Sequence, residues 1–297
     1  MSGSTRIVLV TGTSSGIGEA IVKSFTKHPN IKVYASARNL ASIKKLESNN
    51  VSIVQLDVCD KSSIKNAVDF IIKKEGRIDI LVNNAGMNIY SPVIEMTEEE
   101  GRRLMDTNFF GAIEVTKEVG MHMIKRRSGL IANIGSIVAL VSTPFAGMYC
   151  ASKAALHAWS DSLRMEMAPF NVQVSIVMPG AIKSDLVKNA QDPLTDLLNR
   201  TIYHQIKDEI IKRSNSSQDN AIPAEDFSDY AVNQILKPNP PARFAYGPLS
   251  TLLKILHYLP CWIPDFLFSK KFGLAKLKSI ISNESTSTDK SKSDKIE

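Results

Sequence analysis

The sequence has few residues that could crosslink the chain or hold a metal ion. Its three cysteines, Cys59, Cys150 and Cys261, are far apart and form no Cys-x-x-Cys pair, so neither a disulfide framework nor a zinc site is predicted. The five histidines, at positions 28, 122, 157, 204 and 257, lack the spacing of metal ligands and are interpreted as surface or core residues. We therefore expect a metal-free protein from a reducing compartment.

Long apolar runs and mixed clusters of basic and aromatic residues are also scarce. The short run at residues 7–10 is too brief for the apolar core of a signal peptide, and a glycine-rich loop follows it. Lysines are scattered and the formal charge is only +6, so nucleic-acid binding is not predicted, whereas an anionic ligand or membrane surface fits. The 297 residues, 43% of them hydrophobic, suffice for one large domain.

A glycine-rich turn separates the first predicted strand from the first predicted helix, which extends to about residue 27. Glycine lets a pyrophosphate approach the backbone amides at the positive end of a helix, and Gly18 would let that helix pack closely on the sheet. A tight turn without a ligand is the alternative. The residues predicted to bind a dinucleotide in this turn are Gly12, Ser14, Ser15, Gly16, Ile17 and Gly18.

The ends of the next two predicted strands suit the adenosine half of a dinucleotide. Arg38 stands after the second strand, where an NAD-binding unit usually has a carboxylate. A guanidinium there can hold a ribose 2′-phosphate by charge-assisted hydrogen bonds, which favours NADPH, although a solvated residue at a helix start is the alternative. Asp57 follows the third strand, where it would lie beside the adenine or serve as a loop or capping residue.

Two asparagines are further candidates for the site. Asn84 follows the fourth predicted strand and would line a polar crevice at the carboxyl edge of the sheet. Asn108 interrupts a helical region that runs from about Thr97, a candidate N-cap, to Arg126. It would satisfy backbone groups at a helix irregularity or hold a water molecule, and the two roles are compatible.

A serine, a tyrosine and a lysine are the candidates for proton transfer. The fifth predicted strand delivers Ser136 to the same sheet edge, and Tyr149 and Lys153 lie one turn apart on the next helix. The ammonium group of Lys153 would stabilise the ionised phenol and lower its pKa. Ser136 would hydrogen-bond a carbonyl oxygen while Tyr149 protonates it.

We divide the chain into a catalytic domain at residues 1–248 and two C-terminal segments. Within the domain, the polar stretch 181–222 is predicted to be a lid over the substrate mouth. Residues 249–281 are apolar but too often interrupted by proline and charge to span a bilayer. They would lie on a membrane surface or lipid monolayer, or form a core or dimer-contact helix. Residues 282–297 are predicted to be a disordered tail.

The order of these motifs resembles the short-chain dehydrogenase/reductase family. The resemblance implies a single Rossmann-type α/β domain, a doubly wound parallel sheet of about seven strands with helices on both faces. It also implies hydride transfer from a nicotinamide and a catalytic tetrad of Asn108, Ser136, Tyr149 and Lys153. The positions implied to contact the nicotinamide half of the cofactor are Tyr149, Lys153, Pro179, Gly180, Ile182 and Ser184, the last where many members have threonine.

Segments at residues 37–39, 169–172, 259–262 and 269–272 look like those of fungal NADPH-dependent 1-acyldihydroxyacetone-phosphate reductases. This likeness implies NADPH as cofactor and a lipid-like ketone as substrate. It also implies a location at the cytosolic face of the endoplasmic reticulum membrane and on lipid droplets, with the cytoplasm as the alternative.

Several alternatives stay open from the sequence. A retinol or steroid dehydrogenase of the 17-beta-hydroxysteroid type would share Arg38, and a non-catalytic NADP-binding scaffold would share the fold. A substrate phosphate needs basic partners, for which Lys183, Lys188 and Arg200 in the lid are the candidates. Many members of the family are dimers or tetramers, so a homo-oligomer is compatible with the sequence.

Overall fold

Seven parallel strands form the sheet on which the molecule is built. The computed structural model describes residues 5–183, 191–215, 218 and 221–293, and within them the sheet has the order β3-β2-β1-β4-β5-β6-β7. The predicted Rossmann-type α/β class is confirmed. The strands are β1 (Arg6–Val10), β2 (Ile31–Ala37), β3 (Val51–Gln55), β4 (Ile80–Asn83), β5 (Gly129–Ile134), β6 (Val172–Pro179) and β7 (Arg243–Tyr246).

Helices cover both faces of the sheet. They are α1 (Gly16–Thr26), α2 (Lys61–Glu75), α3 (Glu98–Met105), α4 (Gly111–Arg126), α5 (Gly147–Met167), α6 (Gln191–Arg200), α7 (Lys207–Asn215), α8 (Ala224–Ile235), α9 (Ser250–His257), α10 (Trp262–Lys271) and α11 (Leu274–Ser293). Alternate strand residues point to opposite faces. Val8 therefore packs with Phe25 of α1 and Phe227 of α8, while Leu9 packs with Val119 of α4.

The strand order reverses direction at β1, and this point positions the site. β1 pairs with β2 on one side and with β4 on the other, and Val10 lies beside Ala35 and Val82. The turns that follow these strands consequently begin at the same level. In doubly wound sheets, ligands bind in the crevice outside the carboxyl ends of the strands at such a reversal.

The helical region predicted to begin at Thr97 contains an irregular turn. Thr97 caps α3 as expected, because its side chain accepts a hydrogen bond from the Glu100 amide and the Glu100 side chain accepts one from the Thr97 amide. Residues Asp106–Phe110 form a π-helical turn between α3 and α4. Such turns are frequent at functional sites, and this one carries Asn108.

The C-terminal apolar element folds back on the domain. Leu253 of α9 packs on Ile137, and Phe272, just after α10, packs on Tyr90. The inner face of this element is therefore part of the hydrophobic core, which is one of the alternatives given for residues 249–281. No helix in the described part of the chain is both long and apolar enough to cross a membrane.

The described end of the chain differs from the predicted disordered tail. α11 continues to Ser293, although the polar composition from residue 282 onward predicts disorder. Two contacts involve the first residues of this stretch: the Gln205 amide donates to the Glu284 carboxylate at 2.8 Å, and the Ser282 hydroxyl donates to the Lys278 carbonyl at 2.9 Å. Residues 294–297 lie outside the described part of the chain.

Candidate active site

One cavity of about 850 Å³ lies at the carboxyl edge of the sheet and collects almost all the predicted site residues. Asn108 lies behind its wall, and Ser184 is outside the described residues. The predicted residues that line the cavity are Gly12, Ser14, Ser15, Gly16, Ile17, Gly18, Arg38, Asp57, Asn84, Ser136, Tyr149, Lys153, Pro179, Gly180 and Ile182.

The glycine-rich turn has no room for a side chain at Gly12 or Gly18. Gly12 adopts a φ of +68°, and a Cβ atom there would lie 2.7 Å from the Ala85 Cα. A Cβ on Gly18 would lie 2.2 Å from the Gly12 carbonyl oxygen. Ser15 at the start of α1 makes no side-chain cap, so the first amides of the helix face the cavity without that partner. This cradle fits a dinucleotide pyrophosphate.

Asn84 holds the glycine-rich turn in place. Its side-chain amide donates to the carbonyl oxygens of Thr11 and Gly12, both at 2.9 Å. Its backbone amide donates to the Thr11 hydroxyl at 3.0 Å. These bonds tie the loop after β4 to the loop after β1. Asn84 therefore lines the crevice, as predicted, and also holds the glycine-rich turn in its conformation.

Arg38 and Asp57 both lie at the adenosine end of the cavity. Arg38 is solvent-exposed beyond the end of β2, which leaves its guanidinium accessible to a ligand. Asp57 accepts a hydrogen bond from the Cys59 amide at 2.9 Å, and its own amide donates to the Ser63 hydroxyl at 2.9 Å. Asp57 thus lines the cavity and also serves as the loop residue that was proposed as its alternative.

Asn108 satisfies backbone groups beside the π-helical turn. Its carbonyl oxygen accepts from the Met87 amide at 2.8 Å, and its amide donates to the Met87 carbonyl at 2.9 Å and to the Ser152 hydroxyl at 3.1 Å. The side chain is almost fully buried. Two compatible roles were predicted for Asn108, and its contacts show the first of them, the satisfaction of backbone groups at the helix irregularity.

Ser136, Tyr149 and Lys153 meet in a buried corner of the cavity. The Ser136 side chain lies near enough to the Tyr149 phenol to lower its pKa, and the Ser136 hydroxyl oxygen accepts a hydrogen bond from the Val138 amide at 3.4 Å. The Lys153 Nζ lies 5.9 Å from the centre of the Tyr149 ring and donates to the Ile134 carbonyl at 2.9 Å. The three groups come from the end of β5 and from one face of α5.

Burial dominates the electrostatics of this corner. It raises the pKa of the Tyr149 phenol above its ordinary value, against the smaller lowering by the Ser136 hydrogen bond and the Arg213 charge. Burial also lowers the pKa of the Lys153 ammonium to about 8. The Tyr-x-x-x-Lys spacing predicts a lowered phenol pKa, so the structure differs here because desolvation outweighs the neighbouring charges.

His157 supports Ser136 from behind, a contact that the sequence analysis missed. Its Nε2 accepts a hydrogen bond from the Ser136 amide at 3.3 Å, and burial lowers the pKa of His157 to about 3, which keeps the ring neutral. A Cβ on Gly135 would overlap the ring. The signal was present in the sequence, because His157 follows Lys153 by one turn on the same face of α5.

The far end of the cavity lies between the loop after β4, α7 of the predicted lid segment and the C-terminal helices. It is lined by Tyr90, Arg213, Leu253, Phe268, Lys271 and Phe272. No local pattern marks these residues, because they come from four separate parts of the chain. Of the lid cations predicted from the sequence, Lys183 is exposed, Lys188 lies outside the described residues, and the side chain of Arg200 is likewise outside them.

Comparisons with known proteins agree with this geometry. A family model described as short chain dehydrogenase matches residues 6–194. The NADPH-dependent 1-acyldihydroxyacetone phosphate reductase of Saccharomyces cerevisiae is 29% identical over 292 residues, which cover 96% of this chain and 97% of that protein. The 3-ketodihydrosphingosine reductase of Bacteroides thetaiotaomicron is 32% identical over 261 residues, which cover 88% of this chain and 94% of that protein.

A solved structure shares the same architecture. The short-chain dehydrogenase from Streptomyces avermitilis superposes with a TM-score of 0.74 at 26% identity, over 95% of this chain and 99% of that one. The resemblance read from the ordered motifs is confirmed. This chain belongs to the short-chain dehydrogenase family and is an NAD(P)-dependent oxidoreductase that acts on alcohol or carbonyl groups.

Proposed function

We propose that the protein is an NADPH-dependent reductase of a lipid-like ketone, and that it converts 1-acyldihydroxyacetone phosphate to 1-acylglycerol 3-phosphate. The observation that carries the proposal is the meeting of buried Ser136, half-buried Tyr149 and buried Lys153 in one cavity. These three residues lie between a cradle for a dinucleotide and an apolar chamber, which are the two binding sites that such a reaction needs.

The choice of cofactor rests on the adenosine end of the cavity. Arg38 is the accessible cation at the end of β2 and would pair with a ribose 2′-phosphate in a bidentate manner. The amides at the start of α1 would hold the pyrophosphate. Lys153 would hydrogen-bond the nicotinamide ribose, with Pro179, Gly180 and Ile182 along the nicotinamide ring. The yeast relative carries NADPH dependence in its name.

The proposed chemistry is a reduction assisted by a proton donor. Bound NADPH supplies the hydride to the carbonyl carbon. Ser136 donates a hydrogen bond to the carbonyl oxygen, and Tyr149 transfers its phenolic proton to that oxygen. The raised pKa of the phenol keeps the proton in place at neutral pH, which suits the reductive direction. Lys153 stabilises the phenolate formed, and Asn108, placed behind it, would keep a water molecule in the relay.

The substrate proposal rests on the far end of the cavity and on the named relatives. Leu253, Phe268 and Phe272 supply an apolar wall suited to an acyl chain. The alternatives are a retinol or 17-beta-hydroxysteroid type dehydrogenase, whose ligands are equally apolar, and a non-catalytic NADP-binding scaffold. The bacterial relative is named for another lipid ketone, so a long apolar chain is the shared feature.

A side-by-side substrate panel tests the proposed function. We expect NADPH oxidation with 1-acyldihydroxyacetone phosphate, measured at 340 nm, to exceed that with a retinal or a 17-ketosteroid by at least about tenfold in kcat/KM, because only the first combines an acyl chain with an anion. NADH in place of NADPH should lower kcat/KM at least about tenfold, because it lacks the 2′-phosphate that Arg38 would bind.

The panel separates the candidates. Preference for the steroid or the retinal would replace the proposed substrate while keeping the chemistry. Absence of turnover with every ketone, in a protein that binds NADPH, would support the scaffold.

The pH dependence should follow Lys153. Its pKa is lowered to about 8 by burial, so the ammonium is charged below that pH and neutral above it, while the phenol stays protonated. We expect kcat/KM for NADPH, which reports on the free enzyme, to fall as the pH rises through about 8. Lys153→Arg keeps its charge throughout and is the matched control, with a flat profile. A wild-type profile that stays flat to about pH 10 would contradict this account.

We also propose that the outer face of α9 and α10 lies on a lipid surface. Ile255 is 56% exposed, Trp262 66% and Phe266 63%, and together with Leu252 and Leu267 they leave the C-terminal helices with an apolar outward face. Lys270 follows directly and would meet anionic headgroups. Attachment at the cytosolic face of the endoplasmic reticulum or on lipid droplets would follow, with a cytoplasmic protein as the alternative.

Vesicle flotation tests the lipid-surface proposal. The double variant Trp262→Ser/Phe266→Ser should lower binding to vesicles of phosphatidylcholine with anionic phosphatidylserine at least about tenfold, since each side chain loses apolar burial in the lipid. Met165→Ser on α5 is the control, because Met165 is 63% exposed, like Phe266, but lies outside this face. Equal binding of the double variant and the wild type would exclude α10 as the contact.

A further inference from the structure

Arg213 brings a positive charge into the wall of the catalytic cavity. It comes from α7 in the lid, is only 6% exposed and lines the same cavity as Tyr149. Its NH2 group donates to the Thr143 hydroxyl at 2.6 Å, and its Nε donates to the Pro144 carbonyl at 3.2 Å. These bonds fix the guanidinium against the loop that leads into α5.

Two aromatic rings hold the guanidinium from its sides. Its central carbon lies 5.5 Å from the centre of the Tyr90 ring and 5.3 Å from that of Phe272, which are distances of cation–π contact. Removing a charge from water is costly. These contacts hold a buried positive charge at the far end of the cavity.

A second cation stands at the rim of the same cavity. Lys271 lines the cavity, is solvent-exposed and places its Nζ 5.5 Å from the centre of the Phe272 ring. Arg213 and Lys271 therefore both contact one ring, the first from the interior and the second from the rim. A ligand that enters past Lys271 meets the charge of Arg213 farther in.

The charge of Arg213 lies close to the reacting group. The Thr143 hydroxyl that it contacts is 3.9 Å from the Cys150 sulfur, and Cys150 adjoins Tyr149. The positive charge also acts on the phenol itself, lowering the Tyr149 pKa against the larger effect of burial. An anion beside Arg213 would thus occupy the same cavity as a carbonyl that Tyr149 protonates.

We propose that Arg213 and Lys271 form an anion subsite that binds the negatively charged headgroup of the substrate next to its reacting carbonyl. This inference rests on the proposed function and deepens it: the headgroup is a phosphate monoester borne by an acyl chain. Arg213 is the buried partner inside the cavity, and Lys271 is the exposed partner at its rim. The apolar chain then lies along Leu253 and Phe268, toward the outer face of α9 and α10.

Binding to the full-length enzyme saturated with NADPH, which cannot exchange a hydride with an alcohol, tests the subsite independently of turnover. Isothermal titration would compare lauroyl lysophosphatidate, monolauroylglycerol and inorganic phosphate. We expect lysophosphatidate to bind at least about tenfold more tightly than the uncharged glyceride, because it adds charge-assisted hydrogen bonds. Inorganic phosphate should bind far more weakly, since it lacks the acyl chain.

Variants assign the effect to the two cations. Arg213→Met and Lys271→Met should each weaken lysophosphatidate binding at least about tenfold and change monolauroylglycerol binding less than about twofold. Lys278→Met, at an exposed lysine of α11 outside the cavity lining, is the matched control and should change neither. Arg213→Lys keeps the charge and should retain part of the preference. Thermal unfolding checks each fold, and the exposed Lys271 gives a result even if Arg213→Met unfolds.

Three outcomes would overturn the subsite. Equal weakening of both amphiphiles would assign Arg213 to the packing of the chamber alone. Unchanged lysophosphatidate binding in folded variants would exclude both cations as partners. Inorganic phosphate binding as tightly as lysophosphatidate would indicate a site for free phosphate. A different result separates the two proposals. If lysophosphatidate binding depends on the two cations but the enzyme does not reduce 1-acyldihydroxyacetone phosphate, the proposed reaction is refuted and the subsite stands.

Discussion

Removal of a phenol and an ammonium group from water, in the same corner, is the constraint on which the site depends. Burial opposes ionisation of Tyr149 and protonation of Lys153. Such groups are tolerated only when their polar atoms find partners. The Ile134 carbonyl accepts a hydrogen bond from Lys153, and Ser136 lowers the pKa of the phenol against the effect of burial. The end of β5 must therefore be held at one position relative to α5.

That position is secured by a second layer of buried contacts. His157 accepts from the Ser136 amide, and the Asn108 amide reaches Ser152 on α5 from a π-helical turn that interrupts a regular helix. Asn84 ties the phosphate cradle to the end of β4 in the same manner. The cradle and the proton donor are thus fixed to neighbouring strands of one sheet, which sets where a dinucleotide and a carbonyl would meet.

The sequence could predict what depends on local pattern. Apolar runs marked the strands, the glycine spacing marked the cradle, and the one-turn spacing of Tyr149 and Lys153 marked the buried corner. Contacts between distant residues could not be read in this way. Arg213 and Thr143 are 70 positions apart. The two aromatic rings beside the guanidinium, Tyr90 and Phe272, come from two further parts of the chain. The phenol pKa was also mispredicted, because spacing reveals neighbouring charges but not the depth of burial.

The C-terminal helices link two properties that the sequence left as alternatives. Their inner face closes the cavity through Leu253 and Phe272, and their outer face leaves Trp262 and Phe266 exposed. One element can therefore shape the substrate chamber and contact the phase from which a lipid substrate comes. Under the proposed function, a ketone carrying an acyl chain would pass from that phase into the cavity beside these helices.

The Tyr149→Phe variant tests the central claim most directly. Single-turnover reduction of 1-acyldihydroxyacetone phosphate by NADPH-loaded enzyme should slow at least about a hundredfold, since the proton donor is lost, while the Kd for NADPH should stay within about twofold of the wild type. Phenylalanine preserves the packing, so the loss would belong to the phenolic hydroxyl. A variant that still reduces the ketone at nearly the wild-type rate would contradict the account of this site.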